Sequence, residues 1–260
     1  MSMRRAGIIT GVLAAVIIAA GVFVWQYRFD LQRGIERAQL PEAQEYTDIS
    51  SGSLPASSDD TSTAEVAVTD LPAEANLAIP FTAQAPSANW ELPYKEFCEE
   101  ASVLMAMRYL QKQPIGGPNQ AEADMLKIME FEERVFGEYQ DTNVVQTAAI
   151  VTDYFEYPNV SIIENPTADQ IRQAVASGKP VIVPAAGRLL GNPYFQQPGP
   201  LYHMIVVKGY TSDGKFIVND PGTRRGADFI YDEIVLMNAM HDWREDENIT
   251  AGRKAVIIIG

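Results

Sequence analysis

The sequence predicts an α+β domain, because helical patterns come first, strand patterns come later, and the two do not alternate as βαβ units would. The strongest helical pattern opens at Cys98 and runs to about Gln111. Val103, Met107 and Leu110 recur there at helical spacing, and Leu104 and Met105 widen the apolar stripe. The strand signal is a hairpin: His203–Tyr210 and Lys215–Asn219 flank the turn residues Ser212-Asp213-Gly214. Ahead of these, Leu77–Phe81 reads as a short edge strand. Gly116-Gly117-Pro118 breaks the chain after the first helix, and two weaker helices follow near Ala121–Phe136 and Val144–Phe155. Thr167 and Gln170 form a capping box that opens a helix ending at Gly178, with Pro180 just beyond. Val181–Val183 is a short buried strand, Gly187–Leu201 a long loop, Asp220-Pro221-Gly222 a turn, and Ala255–Ile259 a last strand. The whole reads as N-terminal helices packed on a mainly antiparallel sheet.

Three segments precede or make up this domain. Residues 1–29 form an N-terminal membrane anchor: Ala6–Trp25 runs without a charge, long enough as a helix to span a bilayer, with arginines before it and Trp25 and Tyr27 at its far edge. Arginines on the near side leave the N-terminus in the cytoplasm and carry the rest outside. A cleaved signal peptide ending near Ala19-Ala20-Gly21 is the rival reading and gives the same compartment. Residues 30–76 form an acidic linker. From Asp30 to Ile79 the chain carries ten acids against two arginines, and its Ser-rich stretches hold no sustained apolar period. A surface helix over Leu31–Gln44 is compatible with this. The globular domain covers residues 77–260.

Composition excludes several functions. A net charge of −14 without a basic patch argues against nucleic-acid binding. Two histidines and one cysteine, far apart and without paired spacing, argue against a metal site, and no cofactor is implied. A single cysteine in an exported chain cannot form an internal disulfide and is flagged as a free thiol.

Cys98 sits where a helix begins, and the helix N-terminus favours a thiolate. Glu99 and Glu100 oppose a second negative charge, but helical geometry turns them about 100° and 200° away from Cys98. Alone, Cys98 reads as an inert small apolar residue at the start of a buried helix before it reads as a nucleophile. His203 opens one strand of the hairpin and Asp220 closes the other, so antiparallel pairing brings them to within a few residues of register. A carboxylate there can hold the imidazole tautomer and steady the imidazolium. Asp-Pro-Gly is also an ordinary turn. Gln84, upstream, carries an amide that can donate to a developing oxyanion beside the Cys98 N–H. Trp90, Tyr94, Tyr194, Phe195 and Tyr202 are candidates to line a substrate cleft, or to pack in loops.

The order Gln84, Cys98, His203, Asp220 resembles the papain-like cysteine peptidases. The chain from Ile79 onward is more closely similar to the bacteriocin-processing peptidases and their stand-alone relatives, cysteine peptidase family thirty-nine. The matching stretches are Ile79-Pro80-Phe81 to Gln84, Asn89-Trp90, Cys98-Glu99-Glu100-Ala101-Ser102, Gly191-Asn192-Pro193-Tyr194-Phe195, Gly199-Pro200-Leu201-Tyr202-His203 and Asn219-Asp220-Pro221. The resemblance implies a papain-like fold with Cys98 as nucleophile, His203 as base, Asp220 as its orienting acid and Gln84 as oxyanion donor, acting on peptide or protein substrates. This chain has Glu99 where the family usually has glycine, and no attached transporter, so cleavage of double-glycine leaders is not carried over. Two other readings use the same features: an amidase or transpeptidase acting on cell-surface material, and an inactive domain that binds peptides on its tether. A structural surface domain with Cys98 buried is a third.

Overall fold

The computed structural model describes residue 24 and residues 27–47 and 71–260, and the chain divides into two units, Met1–Leu40 and Pro41–Gly260. The first unit shows a helix, α1, over residues 27–38, with mostly exposed side chains. Apart from Val24, the apolar run Ala6–Trp25 lies outside the described residues. Among the described residues no helix is long and apolar enough to cross a membrane.

The second unit is built on one antiparallel sheet. Its strands are β1 (Ala75–Asn76), β2 (Val160–Glu164), β3 (Val181–Ala186), β4 (Tyr202–Tyr210), β5 (Phe216–Asn219), β6 (Phe229–Tyr231) and β7 (Ala255–Ile259). They lie in the order β2-β7-β3-β4-β5-β6, and β1 adds to the far end of β4. The β4–β5 hairpin turns at Gly214, whose φ of +87 suits a residue without a Cβ. A register shift between Val207 and Gly209 interrupts its ladder. Every residue of β4 is buried, which makes it the centre of the core.

Helix α2 (Cys98–Leu110) packs on β3 and β4. Only Arg108 of its thirteen residues escapes full burial, wider than the stripe its periodicity predicts. Ser102 Oγ donates to the Met204 carbonyl at 3.1 Å, tying the helix one turn past Cys98 to the strand one residue past His203. Cys98 and His203 therefore lie at the same end of the helix–sheet pair. Helix α3 (Pro118–Val135) covers α2, and α4 (Val144–Ala149) opens with a capping box from Asn143 and widens into a π-type turn over Ile150–Tyr154. Helix α5 (Ala168–Ala176) has the expected Thr167–Gln170 capping box. Two short helices complete the unit: α6 (Gly187–Leu190), inside the expected loop, and α7 (Glu233–Ala239).

Several expectations need correction. The edge strand expected at Leu77–Phe81 is β1, two residues earlier in register and two residues long; Leu77 instead bridges Gln44. Part of the segment assigned to the linker is packed: Gln44 N donates to Asn76 O at 2.8 Å, Tyr46 stacks edge-on against Tyr109, and Tyr210 Oη donates to Pro72 O. Backbone ladder bonds and one aromatic contact hold these residues, and neither leaves an apolar period in a sequence.

Gly209 is the close approach that lets β1 lie on β4. A Cβ there would fall 2.5 Å from Ala75 O and 2.9 Å from Ile217 Cδ1. Gly209→Ala should therefore destabilise the domain by about 1–3 kcal/mol through overpacking. The check is a lowered urea midpoint at unchanged m-value; an unchanged midpoint would mean that β1 shifts without cost.

Candidate active site

The hairpin does what its register predicts. His203 lies at the start of β4 and Asp220 follows the last residue of β5, and His203 Nε2 and Asp220 Oδ1 are 2.8 Å apart, both buried. Asp220 has further partners. Gly222 N donates to Oδ1 at 3.0 Å, and Tyr231 Oη (2.7 Å) and Asn192 Nδ2 (2.9 Å) donate to Oδ2. Burial pushes this carboxyl up, but His203 and these hydrogen bonds outweigh it and hold Asp220 below the ordinary carboxylate range. Nε2 being committed to Asp220, Nδ1 is the ring nitrogen left to exchange a proton. Phe195 meets the imidazole edge-on at 5.3 Å, and Gly222 lies so close that a Cβ would sit 2.9 Å from His203 Cε1.

Asn192 and Tyr231 hold the acid but were given no role from sequence. Asn192 stands in the Gly191-Asn192-Pro193 stretch, which is the one signal that could have drawn attention to it. Tyr231 comes from β6, three residues long and too short to leave a pattern.

Cys98 opens α2 as expected, but its thiol donates to Glu99 Oε2 at 2.9 Å rather than to His203. The expectation that helical geometry turns Glu99 away from Cys98 is overturned: Glu99 folds back onto the sulfur, and both Glu99 and Glu100 are fully buried. Burial first and the Glu99 carboxylate next push the Cys98 thiol well above its ordinary value. This outweighs the helix N-terminus.

Gln84 bridges the two halves of the site. Its backbone N–H donates to Pro221 O at 3.0 Å, and its side-chain Nε2 donates to Lys95 O at 2.6 Å and Tyr94 O at 3.3 Å. Its amide hydrogens hold the chain that leads into Cys98. A cleft of about 380 Å³ lies beside the histidine, lined by Trp90, Tyr194, Phe195, Gly222, Arg224 and Arg225 among others. Two of the expected lining residues lie elsewhere. Tyr202 is buried, donates to Thr142 O and packs on Trp243; Tyr94 packs edge-on against Phe97. Among the described residues no group of three or more His, Cys, Asp or Glu could hold a metal ion.

A cysteine opens the helix at the end of the sheet where a buried acid holds a histidine, on an α+β scaffold. The sequence model of the Peptidase_C39 like family matches residues 76–249, and this chain belongs to that family, a cysteine-type peptidase on a papain-like fold. Among solved structures, one described as a C39-like peptidase from Bacillus anthracis is 15% identical, with a TM-score of 0.46, covering 70% of this chain and 95% of that one. A prointerpain A fragment from Prevotella intermedia is 21% identical with a TM-score of 0.36, covering 54% of this chain and 41% of that one. No curated protein matches the sequence.

A second cluster adjoins the thiol. Glu132 of α3 lies within hydrogen-bonding reach of Glu100, so that the two buried carboxyls can share a proton. Burial pushes Glu132 up to about 8, and burial and then Glu96 push Asp141 up to about 7. From the ordinary carboxylate range up to these values the folded protein keeps protons that the unfolded chain releases, so stability should fall as pH rises through that window. The urea midpoint should be higher near about pH 5 than near about pH 8.5, and Glu132→Gln should lessen the difference. Equal losses in both proteins would count against the buried acid.

Proposed function

We propose that this chain is a membrane-tethered, extracytoplasmic peptidase that cleaves peptide or amide bonds through Cys98, His203 and Asp220. The observation that carries the reading is the buried His203–Asp220 hydrogen bond of 2.8 Å at the end of the sheet where Cys98 begins α2. Asp220 fixes the imidazole with Nδ1 free. As the Cys98 sulfur attacks the substrate carbonyl, its proton passes to Nδ1, and Asp220 steadies the imidazolium. The Cys98 backbone N–H, at the N-terminus of α2, donates to the oxyanion. Gln84 supplies the second donor by giving up its longer bond, to Tyr94 O. The imidazolium then protonates the leaving amine, and water, activated by the same nitrogen, releases the acyl group. Trp90, Tyr194 and Phe195 offer flat apolar walls to substrate side chains, and Arg224 and Arg225 add positive charge at the rim.

Iodoacetamide should alkylate Cys98 in the folded protein, and His203→Ala should slow that reaction. Gln84→Ala should leave alkylation nearly unchanged, because alkylation has no oxyanion, while lowering turnover of a cleaved fluorogenic peptide by roughly 10²–10³. Equal alkylation with and without His203 would remove the base from the mechanism. Full turnover without Gln84 would leave the oxyanion to backbone N–H groups.

The tether rests on the apolar run Ala6–Trp25 behind its arginines. Protease added to intact cells should release the globular domain by cutting within the acidic segment, residues 30–75. Protection in both cells and spheroplasts would place the domain on the other side.

A further inference from the structure

Glu99 occupies the position next to the nucleophile and touches the reacting atom, yet the mechanism above gives it nothing to do. Its Oε2 lies 2.9 Å from Cys98 Sγ, it is fully buried, and Oε1 has no hydrogen-bond partner. We propose that Glu99 governs the nucleophile. As a buried carboxylic acid it donates its O–H to the Cys98 sulfur and favours the thiolate; once ionised it takes the thiol proton in a hydrogen bond and suppresses the thiolate. This rests on the reading of Cys98 as the nucleophile.

The surroundings decide which form is present. On α2, Cys98 and Glu100 flank Glu99. From α3 comes Glu132, from the segment after it Asp141, and from β4 Tyr202, the strand that also carries His203. Asp141 in turn feels Glu96, Glu138 and Glu247, and Tyr202 feels Asp242. The acids Asp141 and Glu132 push Glu99 up, the Cys98 thiol and a backbone N–H pull it down, and among the described residues neither Glu99, Glu100 nor Glu132 makes an ion pair. An ionised carboxylate buried without a cation or a full set of donors is strongly disfavoured, so such a group keeps its proton instead. Asp220, at the same end of the sheet, is the contrast: equally buried, but supplied with four donors and ionised. Burial, with Asp141 next, accordingly pushes Glu99 well above the carboxylate range. The sign follows. The donor form is present below the raised value and is lost as pH rises through it, so the site works in its acidic range and is restrained above it.

The test compares wild type with Glu99→Gln, which keeps the shape and fixes the neutral form. Iodoacetamide alkylation of Cys98 in the full-length protein is followed against pH, alongside turnover of the same peptide. The two proteins should agree at acidic pH and diverge as pH rises. The variant should become faster by about tenfold for each pKa unit by which the carboxylate had held the thiol up. Parallel profiles, with Cys98 alkylated in both, would overturn the role of Glu99 and leave the peptidase reading intact. No alkylation in either folded protein would overturn both. Should the variant not fold, infrared spectra of the wild type answer the same question. A protonated-carboxyl band should persist above about pH 6, beyond the ordinary carboxylate range, and shift when Cys98 is alkylated. A spectrum without such a band would overturn the proposal.

Discussion

Asp220 carries a charge to a place that water does not reach, and the chain around it is arranged as its solvation shell. A buried carboxylate survives only where donors replace the lost water. The donors come from separate parts of the chain: His203 from β4, Tyr231 from β6, Asn192 from the loop ahead of β4, and Gly222 from the turn. Gly226, where a Cβ would fall 1.7 Å from Asp220 O, lets the following segment close over it and accept its N–H. His203 is thus held by the same interactions that fold this end of the sheet.

The nucleophile's side follows another rule. Glu99, Glu100 and Glu132 are equally buried, but they lack cations and lie among acids. The surroundings of Asp220 stabilise ionisation and those of Glu99, Glu100 and Glu132 oppose it, within a single core. Each environment assigns its acid a different proton state, the division of labour by which paired carboxylates do different work.

The parts of this arrangement legible in the sequence are those set by period and register. The α2 stripe, the Thr167 capping box and the β4–β5 hairpin each announce themselves locally, and the hairpin alone is enough to pair His203 with Asp220. Depth is what stays hidden. That Glu99 and Glu100 are buried cannot be read locally, because nothing local says that α3 lies over them, and β2 and β6 are too short or irregular to show a pattern. Tyr202 reads as a loop aromatic for the same reason: only the assembled sheet turns it toward Thr142 and Trp243.

Gln84 joins the turn after Asp220 to the chain just before Cys98, through Pro221 O on one side and Tyr94 O and Lys95 O on the other. The residues between Ala85 and Pro93 therefore leave and return to one fixed point. Since closing a somewhat longer loop between anchored ends costs little, this segment can lengthen or shorten without moving its anchors at Gln84, Pro221 and Lys95. Trp90, on this segment, lines the cleft. Members of such a family could diverge in what they grip while the reacting groups keep their alignment.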